Sequence, residues 1–333
     1  METDAIARTA PLTSARIRAW ADELGFLACG VAHLEPSAYG AELDAWLAKG
    51  FAGTMRYLHR QAARRKTPAS IVPEARVAVM VLENYLPSKP SPAPVRARIA
   101  KYARGQDYHL AFQRRLGELA ARLRHSGATV ARTYADAGPV PERELAERAG
   151  LGWIGKNTML IRPGAGSFFF IGAIFTDLAL ATDTPFGLDH CGSCTRCLDA
   201  CPTQAFAGPR VLDATRCLSY LTIEWKGDIP LELSDRAGGW AFGCDICNDV
   251  CPWNQRFAAP GGRPEYAERS DPDGNDPEYF ERMTETEFTN RFGDTPLERP
   301  GLSGMRRNWR MVWKGQARDR RARNSAGKPP ATD

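Results

Sequence analysis

The sequence predicts an α/β or α+β domain over about residues 1–180, a ferredoxin-like module over 181–260, and a linker with a short basic helical tail over 261–333. Three observations carry this reading. Helical and extended patterns alternate up to about residue 180. Eight of the nine cysteines then crowd into residues 191–251, where apolar residues are sparse. Beyond them, "APGGRPEYAERSDPDGND" is rich in Gly, Pro and Asp and reads as a linker.

Residues 13–28 place Ile17, Trp20, Ala21, Leu24 and Leu27 at helical spacing behind a Thr or Ser cap. "CGVAHL" follows as a short strand, and residues 41–49 as a helix ending near Gly50. "ARVAVMVLENY" is dense in Val with no helical stripe and predicts a strand buried on both faces. "LPSKPSPAPVRA" reads as a Pro-rich loop, and residues 108–125 as a long helix closed by Gly127. "ATVARTYAD" is a strand running to Asp136, "PERELAERAG" a helix, and "FFFIGAIFTDLAL" the most apolar segment. No run of about eighteen apolar residues is present, and the first residues lack a basic start followed by an apolar stretch. A cytoplasmic protein without a membrane span is therefore expected, in a compartment where clustered thiols bind metal more often than they pair. Cys29, alone among apolar residues, reads as a buried small hydrophobe.

Cys191, Cys194, Cys197 and Cys201-Pro202 form C-x2-C-x2-C-x3-C-P, the spacing of bacterial ferredoxins. Three thiolates on one tight loop reach three corners of one cubane, while the fourth points towards a second. Cys244, Cys247 and Cys251-Pro252 repeat the pattern, with Cys217 as the displaced upstream member. One 4Fe-4S cluster is thus expected on Cys191, Cys194, Cys197 and Cys251, the other on Cys217, Cys244, Cys247 and Cys201. Paired C-x2-C can also hold zinc, but two CP-terminated runs argue against it. Two clusters in series conduct electrons and need an acceptor. No strand–GxGxxG–helix or GxxxxGK[ST] fingerprint offers a nucleotide for that role.

The net charge of +5 is unevenly spread: residues 305–323 carry eight Lys or Arg against Asp319. A solvated basic helix and attraction to a polyanion are both open readings of that run.

Several stretches, taken together, resemble the epoxyqueuosine reductases. They are "GFAGTMRYL" (Gly50 to Leu58), "KYARGQDYH" (Lys101 to His109), "YADAGPVPERELAERAGLGWIGKNTMLI" (Tyr134 to Ile161), "GSFFFIGAIFTD" (Gly166 to Asp177), "CLSYLTIE" (Cys217 to Glu224) and "GCDICNDVCPWN" (Gly243 to Asn254). The resemblance implies a cobalamin-binding reductase domain, of the kind shared with reductive dehalogenases, ahead of the double-cluster module. It implies reduction of the epoxide of epoxyqueuosine to queuosine in tRNAs with GUN anticodons, by a monomer served by a low-potential electron donor. Asp136 is the implied proton donor, kept protonated by burial against the cofactor. Arg56, Tyr57, Lys101, Tyr102, Lys156, Asn157, Ser167, Tyr220 and Thr222 are implied around cobalamin and the substrate base. "DYHLAF" (Asp107 to Phe112) matches the Asp and His of the D-x-H-x-x-G histidine-ligand motif but has Phe112 in place of Gly, consistent with base-off cobalamin lacking a protein ligand. Many members of the resembled family continue into helical repeats where this sequence reads "WRMVWKGQARDRRARNSAGKPPATD", so a different C-terminal contribution to tRNA binding is expected. A reductive dehalogenase and a non-catalytic electron-transfer protein are the competing readings.

Overall fold

The computed structural model describes residues 12–87 and 95–326, with the side chains of the last helix described as far as residue 315. Part of the Pro-rich loop and the far end of the basic run lie outside these limits.

The first domain is built on a four-stranded sheet. Its elements are α1 (Ser14–Glu23), β1 (Ala28–His33), α2 (Gly40–Ala48), α3 (Arg56–Lys66), β2 (Val77–Asn84), α4 (Tyr108–His125), β3 (Ala131–Ala135), α5 (Glu142–Arg148) and β4 (Phe169–Thr176). The strand order is β1-β2-β4-β3, and every neighbouring pair is antiparallel. The fold is accordingly α+β, and the parallel α/β alternative falls. The apolar runs reported burial on both faces, which does not depend on strand direction. Along β2, Val77, Val79 and Val81 pack with Ile17, Phe112 and Leu116 of the α1/α4 layer. Ala78, Met80 and Leu82 enter the opposite core with Leu145 and Ala146 of α5. This is the two-residue alternation of a strand, with both faces covered.

Helix α3 was not anticipated. Its sequence RYLHRQAARRK has no buried residue and no apolar stripe wide enough to signal a helix. Thr13 caps α1, accepting from the Arg16 N–H at 3.2 Å, and Asp107 caps α4, accepting from the His109 N–H at 2.9 Å.

Downstream, α6 (Leu218–Ile223), β5 (Trp240–Phe242), α7 (Glu285–Phe292) and α8 (Gly301–Ala326) share a second core. Phe280, Phe292, Leu302, Met305 and Trp309 supply apolar bulk that the cysteine-rich segment lacks, packing on Leu218, Leu221 and Phe242. The region expected as linker and tail thus completes the interior of the module before it. The basic run begins as part of this core. Arg306 donates to the carbonyls of Phe280 and Met283, Arg307 to those of Leu221, Trp225 and Gly227, and Arg310 to the Glu281 carboxylate. These three arginines are therefore committed to the fold and not left free to meet a polyanion.

Residues 263–269 strap the C-terminal part onto the first domain. The Tyr266 hydroxyl donates to Glu83, whose carboxylate is also held by Arg115, with Nε to Oε2 at 2.7 Å. Glu83 is 1% exposed and Arg115 4%, so this ion pair lies inside the protein. Among the described residues no helix is long and apolar enough to cross a membrane.

Candidate active site

Strand β3 ends at Ala135, and Asp136 turns out of the sheet in the left-handed region at φ +48°. An Asp tolerates that conformation better than most residues, and Gly138 at φ +80° completes the turn. Arg65 of α3 holds the loop from behind, donating to the carbonyls of Gly138 at 3.0 Å and Val140 at 3.1 Å. The Glu142 carboxylate lies close to the backbone of Asp136. Its Oε1 is buried without a hydrogen-bond partner, as is the Nε of Arg65.

The Asp136 carboxylate is 67% exposed. The Tyr108 hydroxyl donates to its Oδ2, and His109 Nε2 stands 3.9 Å from the same oxygen. The other ring nitrogen of His109 is 2.7 Å from Asp107 Oδ1. That hydrogen bond, foremost, raises the pKa of His109 and favours the imidazolium. Tyr102 packs edge-on to Tyr108 at 6.1 Å. Burial, and then the Asp136 charge, pushes both phenols up, so both remain donors. Burial and the nearby Asp136 charge push Glu142 up to about 8. Ionising Glu142 is thus penalised in the folded protein. Folding stability contributed by its protonated form is present at pH 4–5 and declines as pH rises towards 8. Glu142→Gln is expected to raise the melting temperature at pH 8–9 by several degrees and to change it little at pH 5, as thermal denaturation across that range will show.

The cysteines form two sets. Cys191, Cys194, Cys197 and Cys251 line one cavity of about 220 Å3, together with Trp253, His190 and Lys156. Cys201, Cys217, Cys244 and Cys247 influence one another electrostatically. Burial pushes the Cys244 thiol up to about 12 and raises those of Cys217, Cys247, Cys197 and Cys251. Buried thiols of this kind become thiolates only with a metal centre to carry the charge. N–H groups already point at several sulfurs: Trp153 Nε1 at 3.5 Å from Cys191 Sγ and the Ala205 amide at 3.3 Å from Cys201 Sγ. Donor set, cavity and N–H groups fit two iron–sulfur clusters.

Residues 190–254 match the family model for a 4Fe-4S double cluster binding domain, and residues 65–137 match that of Epoxyqueuosine reductase QueG, DUF1730. The epoxyqueuosine reductase of Pseudomonas aeruginosa is 42% identical over 298 residues, covering 88% of this chain and 82% of its own length. That of Xanthomonas campestris is 42% identical over 303 residues, covering 89% and 84%. The chain belongs to the epoxyqueuosine reductase family. Its fold superposes with a TM-score of 0.81 on a crystal structure of epoxyqueuosine reductase with an epoxyqueuosine-modified tRNA-Tyr stem loop, at 28% identity over 90% of this chain and 80% of that one. The Bacillus subtilis epoxyqueuosine reductase, solved with its catalytic aspartate loop swung out of the active site, matches at 0.80 and 27% identity, over 95% and 86%. As a member of this family the protein reduces epoxyqueuosine and carries the double 4Fe-4S domain.

Within this reductase, the residues implied around the cofactor fall into two groups. Tyr102 packs on Tyr108, the partner of Asp136, and Arg56 and Tyr57 open α3, where Arg56 is exposed. The others are engaged with the cysteine loops and the segments that carry them. Lys156 donates to the carbonyls of Gly192 at 2.6 Å and Cys194 at 3.0 Å. Asn157, Ser167, Asn248 and Asn254 form one buried network between the first domain and the Cys247–Cys251 segment. Lys101 pairs with Asp249 and sits 3.6 Å from Asp245. Thr222 accepts from the Gly243 N–H at 2.9 Å. The Tyr220 hydroxyl accepts from the Thr54 N–H at 2.7 Å and holds the turn that leads into α3. There Gly53, at φ +56°, has no room for a Cβ, which would come within 2.3 Å of that hydroxyl.

Sequence reasoning missed Tyr108, His109, Arg65 and Glu142. The D-x-H of "DYHLAF" was a usable signal for His109, but it was read as an incomplete ligand motif. The fold turns that histidine towards Asp136.

Proposed function

We propose that this reductase delivers a proton from Asp136 to the epoxide oxygen of epoxyqueuosine at the wobble position of GUN-anticodon tRNAs, beside bound cobalamin. The observation that carries this is an exposed carboxylate set among Tyr108, His109 and Tyr102, next to the cysteine loops, in a chain 42% identical to epoxyqueuosine reductases. Reductive opening of the ring leaves an oxygen that must be protonated as its bond to carbon breaks, and an aspartic acid beside it is a competent general acid. Tyr108 orients the carboxyl group. His109, fixed by Asp107, is a proton-bearing neighbour suited to recharging it.

The residues around Asp136 are compatible with a planar cofactor: Tyr102 and Tyr108 stand beside its exposed carboxylate, and behind the loop Arg65 Nε and Glu142 Oε1 have no hydrogen-bond partner among the described residues. Cobalamin, when bound, supplies a metal-centred reductant at the substrate carbon. Tyr57, Tyr102 and Arg65 are the residues placed to hold it.

The ligand sets follow the two cysteine groups. Cys191, Cys194, Cys197 and the buried Cys251 line one cavity beside His190 and Trp253. Cys201, Cys217, Cys244 and Cys247 form the second set, where Asp245 between two of them accepts from the Lys101 backbone N–H at 2.8 Å. Clusters held by these two cysteine sets would supply single electrons from a low-potential donor to the cofactor beside Asp136. The substrate base must be splayed out of the anticodon loop to reach Asp136.

The test is anaerobic reconstitution with iron, sulfide and cobalamin, then incubation with epoxyqueuosine-containing stem loop and a low-potential reductant. Queuosine formation that depends on cobalamin is expected. Queuosine formed equally well without cobalamin would overturn the cofactor assignment, and none under any condition would overturn the reaction.

A further inference from the structure

We infer that the exposed face of α3 is a phosphate-binding rail for the substrate RNA. The inference rests on the tRNA reading above. Helix α3 carries five cations, Arg56, Arg60, Arg64, Arg65 and Lys66, and no acid. Two of them are engaged: Arg65 holds the Asp136 loop, and Lys66 pairs with Asp44 at 2.7 Å. The other three, Arg56, Arg60 and Arg64, are exposed and hold no ion pair or hydrogen bond among the described residues. The neighbouring Glu224 carboxylate is taken elsewhere, by Arg299 at 3.0 Å.

Four-residue spacing puts the three guanidinium groups on one face, about 6 Å apart along the axis. Helix stability does not explain them. Like charges at i, i+4 oppose each other, by about 0.2–0.5 kcal/mol per pair. Arg56 stands at the helix N-terminus, where the backbone dipole disfavours a cation. Such an arrangement is relieved by a linear polyanion, and three arginines in file match the phosphates of one strand. The stripe also lies on the helix whose Arg65 holds the Asp136 loop, so it runs beside the turn that carries the acid. The basic run of α8 is a poorer candidate as far as it is described, since Arg306, Arg307 and Arg310 are already engaged within the fold.

The experiment measures binding of a synthetic GUN anticodon stem loop over a range of salt concentrations. The proteins are the parent, Arg60→Gln/Arg64→Gln, and a control with the same charge change, Arg76→Gln/Arg132→Gln. The control residues sit at the Thr176 end of the sheet, opposite the end that carries Asp136. Removing two phosphate contacts should lower the slope of log K against log salt by about 1.4–1.8 and weaken binding on the order of tenfold at low salt. The control should keep the parent slope. An unchanged slope in the α3 variant, or an equal change in the control, overturns the rail. Queuosine formation is assayed separately. A parent that makes queuosine while the α3 slope is unchanged loses only the rail, and one with an α3-dependent slope and no queuosine loses only the reaction.

Discussion

Asp136→Asn is expected to lower single-turnover queuosine formation by about 10²–10⁴-fold. The change is nearly isosteric, and Asn tolerates the left-handed backbone that Asp136 adopts. Its side-chain oxygen still accepts from Tyr108 and the Glu142 contact is with the backbone, so the loop should keep its shape. What is lost is the acidic proton. Cluster absorbance, cobalamin binding and melting temperature should therefore match the parent while the rate falls. A variant with the parent rate would remove Asp136 from the chemistry and leave His109 or Tyr108 as the proton source. A variant that has lost cofactor along with rate would show instead that the carboxylate organises the site.

Arg115→Met is expected to destabilise the protein by about 3–5 kcal/mol, because it strands the Glu83 carboxylate inside the fold. Tyr266 and the more distant Arg263, at 3.9 Å, remain, but neither replaces the paired guanidinium. Replacing both partners, Glu83→Leu with Arg115→Met, should recover much of the loss, since two apolar groups leave no charge to compensate. Chemical denaturation of the three variants gives the comparison. If the single and double variants are equally destabilised, packing and not the stranded charge accounts for the cost.

The cysteine pattern was legible because cluster ligation is encoded in local spacing, which the chain keeps whatever surrounds it. The sheet strands were legible too, as short Val-rich runs. Their direction was not, because burial on both faces produces the same composition in either sense. Helix α3 escaped because it contributes charge to the surface and nothing to a core. The interior shared by Leu218, Phe242, Phe280 and Trp309 joins residues far apart in sequence, and no local pattern announces such a partnership. His109 was visible in the D-x-H of "DYHLAF", but only as part of an incomplete ligand motif. Its relation to Asp136 exists once α4 and β3 are packed side by side.

Helix α3 has one further consequence. Its inner edge restrains the backbone of Gly138 and Val140, while its outer edge is open to solvent. The two edges belong to one helix, so a change that breaks it, such as a proline in its middle turn, is expected to displace the outer arginines and the turn that carries Asp136 together.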